Sequence, residues 1–217
     1  MFMYKQILAA LALALTVPVS WAGDDAHYEV TITNLTRGTL FTPFVVATHR
    51  QGVQLFTAGR PASPALSLLA ESGDTAPLIA VLRADKRVKD IRTTGRLNPG
   101  QTVTINVATA DNFDRVSLAA MMVPTNDGFV PLNGVPGPRG NDPLVYTIAG
   151  HDAGSEPNDE LCGNIPGPTC GGIGNSPEAG GEGYVHIHAG IHGIGDLAAD
   201  EYDWRNPVAV VRIRRVE

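Results

Sequence analysis

The segment TVTINVATADNFDRVSLAAMMV, residues 102–123, contains the two strand patterns that decide the fold. Residues 102–107 alternate polar and apolar side chains, which is typical of a strand with one buried face. Residues 115–123 are mostly apolar, which is typical of a strand buried on both faces. The segment therefore predicts a half-buried strand followed by a fully buried one.

Other strand patterns lie on both sides of this segment. Residues 28–33, YEVTIT, alternate in the same way, and apolar runs recur at 144–148, 183–188 and 208–216. The chain also has 24 glycines and 16 prolines, which mark turns and are poor in helix interiors. These patterns predict an all-β chain.

Two short helices and two long loops interrupt the strands. Residues 63–69, SPALSLL, offer a serine N-cap and a proline at the first helical position, and residues 77–82 predict a second short helix. Residues 131–143 and 151–182 predict long irregular loops, which inside a compact domain are usually functional. We expect an antiparallel β-sandwich with a short helical insertion and long loops at one end.

The first 22 residues have the pattern of a secretory leader. Lys5 is followed by an apolar run at 7–16 and by small residues before a cut after Ala22. An uncleaved anchor is the alternative, but the run is about half the roughly 20 residues that span a bilayer. We predict a signal peptide at 1–22, one domain at 23–217, no transmembrane segment in the mature chain, and a periplasmic, cell-surface or secreted location.

Charge and cysteine content narrow the classes of partner and site. The formal net charge is −6, and phosphate binding needs a concentrated basic surface, so we expect no nucleic-acid partner. The two cysteines, Cys162 and Cys170, predict one local disulfide in an oxidising compartment, with two free thiols as the alternative. Two cysteines alone do not make a four-ligand zinc site.

Acidic residues follow two of the predicted strands. Asp127 lies just after the buried strand at 115–123, and Asp152 and Glu156 open the longest loop. Hard cations such as Ca2+ are bound by six to eight oxygens, to which carboxylates contribute. An equally good interpretation is that these residues only form turns on a solvated loop.

Four histidines suggest a second metal or polar cluster. His186 and His188 are two residues apart on a predicted strand and so face the same side, His192 follows closely, and His49 lies on an earlier apolar segment. Neutral imidazoles bind Zn2+ or Cu2+ well. We favour histidines that are hydrogen-bonded to backbone or to nearby aspartates over a transition-metal site.

No catalytic motif is present in the sequence. The G-x-S-x-G, H-E-x-x-H and P-loop patterns are all missing, and Ser155 near His151 and Asp152 is only a sequence neighbour. We therefore see no positive case for an enzyme.

Several of these segments resemble the spondin N-terminal domain family in its bacterial single-domain form. The resemblance extends from Tyr28 to Val216, and its specificity rests on the order and spacing of several motifs together. The motifs are YEVTITNLTRG (28–38), VSLAAMMVPTNDGFV (116–130), HDAGSEPNDE (151–160), GYVHIHAGIHG (183–193) and YDWRNPVAVVRIRRV (202–216).

The resemblance implies a C2-like β-sandwich that holds a metal, usually calcium, in loops at one end. Asp127, Asp152 and Glu156 match the family's ligand positions, and Glu156 stands where animal members more often have aspartate. Animal members are extracellular-matrix adhesion and guidance proteins with thrombospondin-type repeats. Because none of those repeats occurs before Glu217, we do not expect the matrix role to apply here.

Three functional hypotheses follow. The first is an exported calcium-binding module for adhesion, or for binding a surface protein, a glycan or a lipid. The second is a zinc- or copper-binding protein or metalloenzyme of the cell envelope that uses the histidine cluster. The third is a structural envelope protein with no small ligand.

Overall fold

A computed structural model describes residues 26–176 and 179–216, so the predicted signal peptide lies outside the described residues. The helices are α1 (Pro64–Ser72), α2 (Ala76–Ala84) and α3 (Ala199–Tyr202). The strands are β1 (His27–Asn34), β2 (Leu40–Phe41), β3 (Val45–His49), β4 (Val88–Thr93), β5 (Thr102–Ala108), β6 (Arg115–Val123), β7 (Gly128–Pro136), β8 (Leu144–Ile148), β9 (His151–Asp152), β10 (His186–Ile187) and β11 (Ala209–Val216).

The described strands form two antiparallel sheets. The smaller sheet has the order β5-β1-β11-β8. The larger sheet has the order β10-β9-β7-β6-β3-β4, with β2 paired to β6 at its end. The predicted antiparallel β-sandwich is therefore confirmed.

The main core lies between the two sheets. Alternate residues of β1 and β11 face inward from the smaller sheet, as period-2 strands require, and alternate residues of β6 meet them from the larger sheet. The inward side chains of these three strands are Tyr28, Val30, Ile32, Val116, Leu118, Ala120, Met122, Val211 and Ile213.

A second core covers the other face of the larger sheet. Ala119 of β6 and Phe129 of β7 pack there against apolar side chains of α1 and α2, including Leu66, Leu69 and Leu78. Both faces of β6 are thus buried, as its mostly apolar pattern predicts.

The start of α1 agrees with the sequence pattern. The Ser63 hydroxyl accepts a hydrogen bond of 3.3 Å from the backbone N–H of Leu66, and Pro64 occupies the first turn. The helix ends at Gly73, whose φ of 70° is the left-handed conformation that glycine adopts without steric cost. The helical insertion is therefore confirmed, and it covers the second core.

The prediction of an irregular loop at 131–143 is wrong in its first half, because β7 continues to Pro136. Among the described strands, β9 pairs with β7 only at Gly128 and Phe129. Beyond Phe129 that side of β7 is a free edge, where prolines such as Pro131 are tolerated. The prolines of this segment therefore made a strand resemble a loop in the sequence.

The strand predicted at 183–188 is shorter, because only His186–Ile187 forms β10. Gly183 has a φ of 83°, which takes the chain out of extended geometry. The backbone N–H of Val185 donates to the carbonyl of Arg60 in a loop, at 2.9 Å, and not to a neighbouring strand.

Helices long and apolar enough to cross a membrane are absent from the described ranges, where α1 and α2 have nine residues each.

Candidate metal centre

Asp127 sits in the tight turn between β6 and β7. The Thr125 hydroxyl fixes this turn, because it donates to the Met122 carbonyl at 2.6 Å and accepts from the Gly128 N–H at 2.9 Å. The side chain of Asp127 is fully buried, with 0% exposure. The turn therefore places a carboxylate inside the protein at the end of the central strand.

Asp152 lies beside this turn on the two-residue strand β9. It pairs with Gly128 of β7 on one side and with His186 of β10 on the other. The Ala153 N–H also donates to the Asp127 carbonyl at 3.2 Å. Neighbouring strands are about 4.8 Å apart, so this pairing brings together residues that are distant in sequence.

Gly154 explains the D-A-G spacing after β9. Its φ of 66° is left-handed, and a Cβ atom there would collide with the carbonyl oxygen of Tyr184. The Gly183 N–H also donates to the Gly154 carbonyl at 2.8 Å. Only glycine allows this close approach, which holds the segment before His186 against Asp152.

Only one oxygen of the Asp127 carboxylate accepts hydrogen bonds. Its Oδ2 accepts from the Ser155 N–H at 2.7 Å, the Ser155 hydroxyl at 3.2 Å and the Glu156 N–H at 3.1 Å. Its Oδ1 is buried without a hydrogen-bond partner. Burial, and then the charge of Asp152, raise the pKa of Asp127 to about 7.

Asp152 is also fully buried, and both of its carboxylate oxygens accept hydrogen bonds. Oδ1 accepts from the Gly154 N–H at 2.7 Å, and Oδ2 accepts from the Asn158 amide at 2.6 Å. The Nδ1 atom of His186 lies 3.7 Å from Oδ1. Burial raises the pKa of Asp152 above its usual range. Both carboxyls of this pair are therefore harder to ionise than an exposed aspartate.

Glu156 belongs to a different set of side chains. It is 1% exposed, and neither carboxylate oxygen has a hydrogen-bond partner. Burial raises its pKa to about 7 against the opposing effect of the nearby Ser176 side chain, and the charges of Glu71 and Asp159 act in the same direction as burial. Its backbone therefore supports Asp127, while its carboxylate lies among other acidic groups.

Within residues 26–176 and 179–216, one group of three metal-binding side chains has all its ligand atoms within 4.8 Å of one another. It consists of Asp152, Glu182 and His186. The structure thus brings Asp127 beside Asp152. The predicted ligands Asp127, Asp152 and Glu156 do not form a group whose ligand atoms all lie within that distance. Sequence reasoning missed Glu182, because spacing in a long loop says nothing about its neighbours.

The remaining histidines divide between two places. His188 is buried against the Trp204 ring at 5.0 Å, its Nδ1 accepts from the Gly190 N–H at 3.0 Å, and its Nε2 has no partner. Burial, and then the charges of His186 and His192, lower the pKa of His188 to about 4. His188 is therefore a neutral imidazole close to the metal centre.

His49 lies away from the other three histidines. It pairs with Arg115 at the opposite end of β6, and its ring bonds to the Ser117 hydroxyl and the Arg50 carbonyl, each at 2.8 Å. Burial lowers its pKa. His49 is therefore a hydrogen-bonded core histidine, and the structure does not bring it to the predicted cluster.

The loop around Cys162 is fixed by covalent and polar links. Cys162 and Cys170 form the predicted disulfide. Two N–H groups, of Gly193 and Ile194, donate to Oε2 of the buried Glu160, at 2.8 and 3.0 Å. The loops that flank the metal centre are thus tied to each other.

Comparison with known proteins identifies the family. The Spondin_N family model matches residues 16–136, more than half of the chain, and the match includes Asp127 but ends before Asp152. No curated protein matches the sequence. The chain therefore belongs to the spondin N-terminal domain family, a family of extracellular modules of the adhesion type.

Proposed function

We propose that this protein is an exported calcium-binding adhesion module that binds a surface protein, a glycan or a lipid. In this proposal Asp127 and Asp152 bind Ca2+ between β7 and β9, and Glu156 adds negative charge to the adjoining loop. Spondin domains are extracellular, and the Cys162–Cys170 disulfide fits an exported protein.

The observation that carries the proposal is the buried oxygen of Asp127. An unpartnered carboxylate oxygen that is removed from water is costly unless a cation or a proton compensates it. Among the described residues, no lysine or arginine forms a salt bridge with Asp127 or Asp152. A bound cation would supply the missing partner.

The donor set fits a hard cation in charge and in chemistry. Ca2+ is bound by carboxylate, amide and backbone oxygens with irregular geometry. Asp127 Oδ1 is free to bind it, and Asp152 stands on the neighbouring strand. When bound, the ion would neutralise two buried carboxylates and connect the loops that follow β6 and β9.

Surface composition supports a binding role at the same loops. Leu161, Ile173 and Ile194 are large apolar side chains exposed by 46%, 70% and 70%. The Ile173 N–H bonds to the Gly163 carbonyl, and the Ile194 N–H bonds to Glu160. These exposed apolar side chains are available for contact with a partner.

Thermal unfolding of the untagged protein in Ca2+ and in chelator tests the metal proposal. We expect millimolar Ca2+ to raise the melting temperature of the wild type, because the ion binds only the folded state. Asp127→Asn should lose most of this shift, whereas Asp111→Asn, at an exposed turn, should keep it. Equal curves with and without Ca2+ for the wild type would contradict the proposal.

Partner class is tested separately with the calcium-loaded protein. Glycan arrays, lipid vesicles and cell-surface protein fractions form three arms, each repeated in chelator and with Asp127→Asn. Calcium-dependent binding in one arm identifies the class. Binding that is unchanged in chelator would show that partner binding does not depend on the metal centre.

A further inference from the structure

We propose that Asp152, Glu182 and His186 form a second metal site, specific for a borderline transition-metal ion such as Zn2+, at the edge of the larger sheet. This combination of residues differs from both predicted clusters. It joins Asp152 of the acidic cluster and His186 of the histidine cluster to Glu182. It uses neither His49 nor His192.

The three side chains lie close together. One ligand atom from each of the three side chains lies within 4.8 Å of the other two. The Nδ1 atom of His186 is 3.7 Å from Oδ1 of Asp152 and 3.1 Å from the carbonyl oxygen of Tyr184, to which it donates a hydrogen bond. To bind a metal, Nδ1 must give up this bond and the ring proton must move to Nε2. Two ligands of a tetrahedral zinc ion, each about 2.0–2.2 Å from the metal, are ~3.4 Å apart. An inward movement of side chains, together with this change of the His186 tautomer, would therefore complete the site.

Asn158 positions the two carboxylates. Its Nδ2 group donates to Oδ2 of Asp152 at 2.6 Å and lies 3.3 Å from Oε1 of Glu182. This amide brings two negative side chains together and leaves Oδ1 of Asp152 on the side of His186. Outer partners of this kind orient ligands in metal sites.

The chemistry of the donors favours Zn2+. One imidazole nitrogen and two carboxylate oxygens suit Zn2+, which commonly binds three protein ligands and keeps a fourth position for water. Ca2+ prefers oxygen ligands alone, so the histidine discriminates against it. His186 is half-buried and Glu182 is exposed, which leaves the site open to ions from solvent.

Buried carboxylates around this site favour the binding of a cation. Asp127, fully buried and with Oδ1 unpartnered, lies next to Gly128, the residue that pairs with Asp152. The Asp152 carboxylate is itself fully buried. A divalent ion bound between Asp152 and His186 would compensate negative charge that the described residues leave without a full positive partner.

Asp152 would belong to both sites, and this consequence rests on the proposed calcium function. Two divalent ions a few ångströms apart repel each other strongly in a partly buried place. Millimolar Ca2+ is therefore expected to weaken Zn2+ binding in the wild type. The same Ca2+ should have little effect on Zn2+ binding by Asp127→Asn.

Competition with a chromophoric zinc chelator, using the full untagged chain, tests the second site. We expect one Zn2+ per wild-type chain. His186→Gln and Glu182→Gln should each weaken binding by at least about 10–100-fold, the range for loss of even an outer partner. His192→Gln changes an exposed histidine outside the trio and should bind as the wild type does.

Two results would overturn the proposal. One is the absence of stoichiometric Zn2+ binding by the wild type, and the other is equal affinity of His186→Gln, Glu182→Gln and wild type. Circular dichroism shows whether each variant folds, and Glu182 is exposed, so its variant should stay folded. Zinc binding retained by Asp127→Asn, together with loss of the calcium response, would show that the two sites are separate.

Discussion

Replacement of Asp127 by asparagine should stabilise the metal-free protein at pH 8 and remove its response to Ca2+. The pKa of the buried carboxyl is about 7, against 3.8 for the ordinary group. At 1.36 kcal/mol per pKa unit, ionisation of this side chain destabilises the folded state by at most about 4 kcal/mol above pH 7. The neutral amide avoids that penalty.

Part of this gain will be lost in the variant. The asparagine oxygen can still accept from the N–H groups of Ser155 and Glu156, which now bond to Oδ2. The amide nitrogen then occupies the place of the unpartnered Oδ1 beside Asp152. We therefore expect a net stabilisation on the order of 1–3 kcal/mol, less than the full linkage value because of imperfect hydrogen bonding.

Urea unfolding at several pH values measures the effect. Asp127 has a folded pKa above its unfolded value, so its contribution favours folding below about pH 4 and is lost as the pH rises to 7. The advantage of the variant in chelator should accordingly be large at pH 8 and small near pH 4. Asp111→Asn serves as the control. A variant that is less stable than wild type in chelator at pH 8, yet still stabilised by Ca2+, would refute the reasoning.

Three further predictions concern the scaffold. Gly154→Ala should lower the free energy of unfolding by more than about 2 kcal/mol and weaken metal binding, because of its positive φ and the clash with Tyr184; unchanged urea curves would contradict this. The double variant Cys162→Ser with Cys170→Ser should lose about 2–3 kcal/mol in urea unfolding, from loop entropy over a separation of 8 residues; no difference between the variant and wild type would count against the estimate. Leu118→Ala, at a fully buried site, should cost about 2–5 kcal/mol in the same assay with an unaltered calcium shift; a lost calcium shift in the folded variant would link the core to the site.

The sequence predicted the parts of the fold that local patterns encode. The strand at 115–123 matches β6, and the serine N-cap matches the start of α1, because hydrophobic period and capping are local properties. β7 was missed because its prolines lie beyond the two residues that pair with β9, which only the strand pairing reveals.

The candidate site was predicted in part for a similar reason. Asp127 and Asp152 follow strands, so their positions at one end of a sheet were open to inference. Glu182 was not, since a two-residue strand and a left-handed glycine bring its loop to Asp152. His49 lies on a strand as His186 does, but antiparallel pairing places it at the far end of β6.

The most direct test of the calcium centre is a crystal structure of the protein grown in Ca2+. The account predicts an ion bound by Oδ1 of Asp127 and by Asp152 at about 2.3–2.6 Å, with backbone or water oxygens completing the shell. A well-ordered site in which Oδ1 of Asp127 shares a proton with a neighbour, and no ion is bound at millimolar Ca2+, would contradict it.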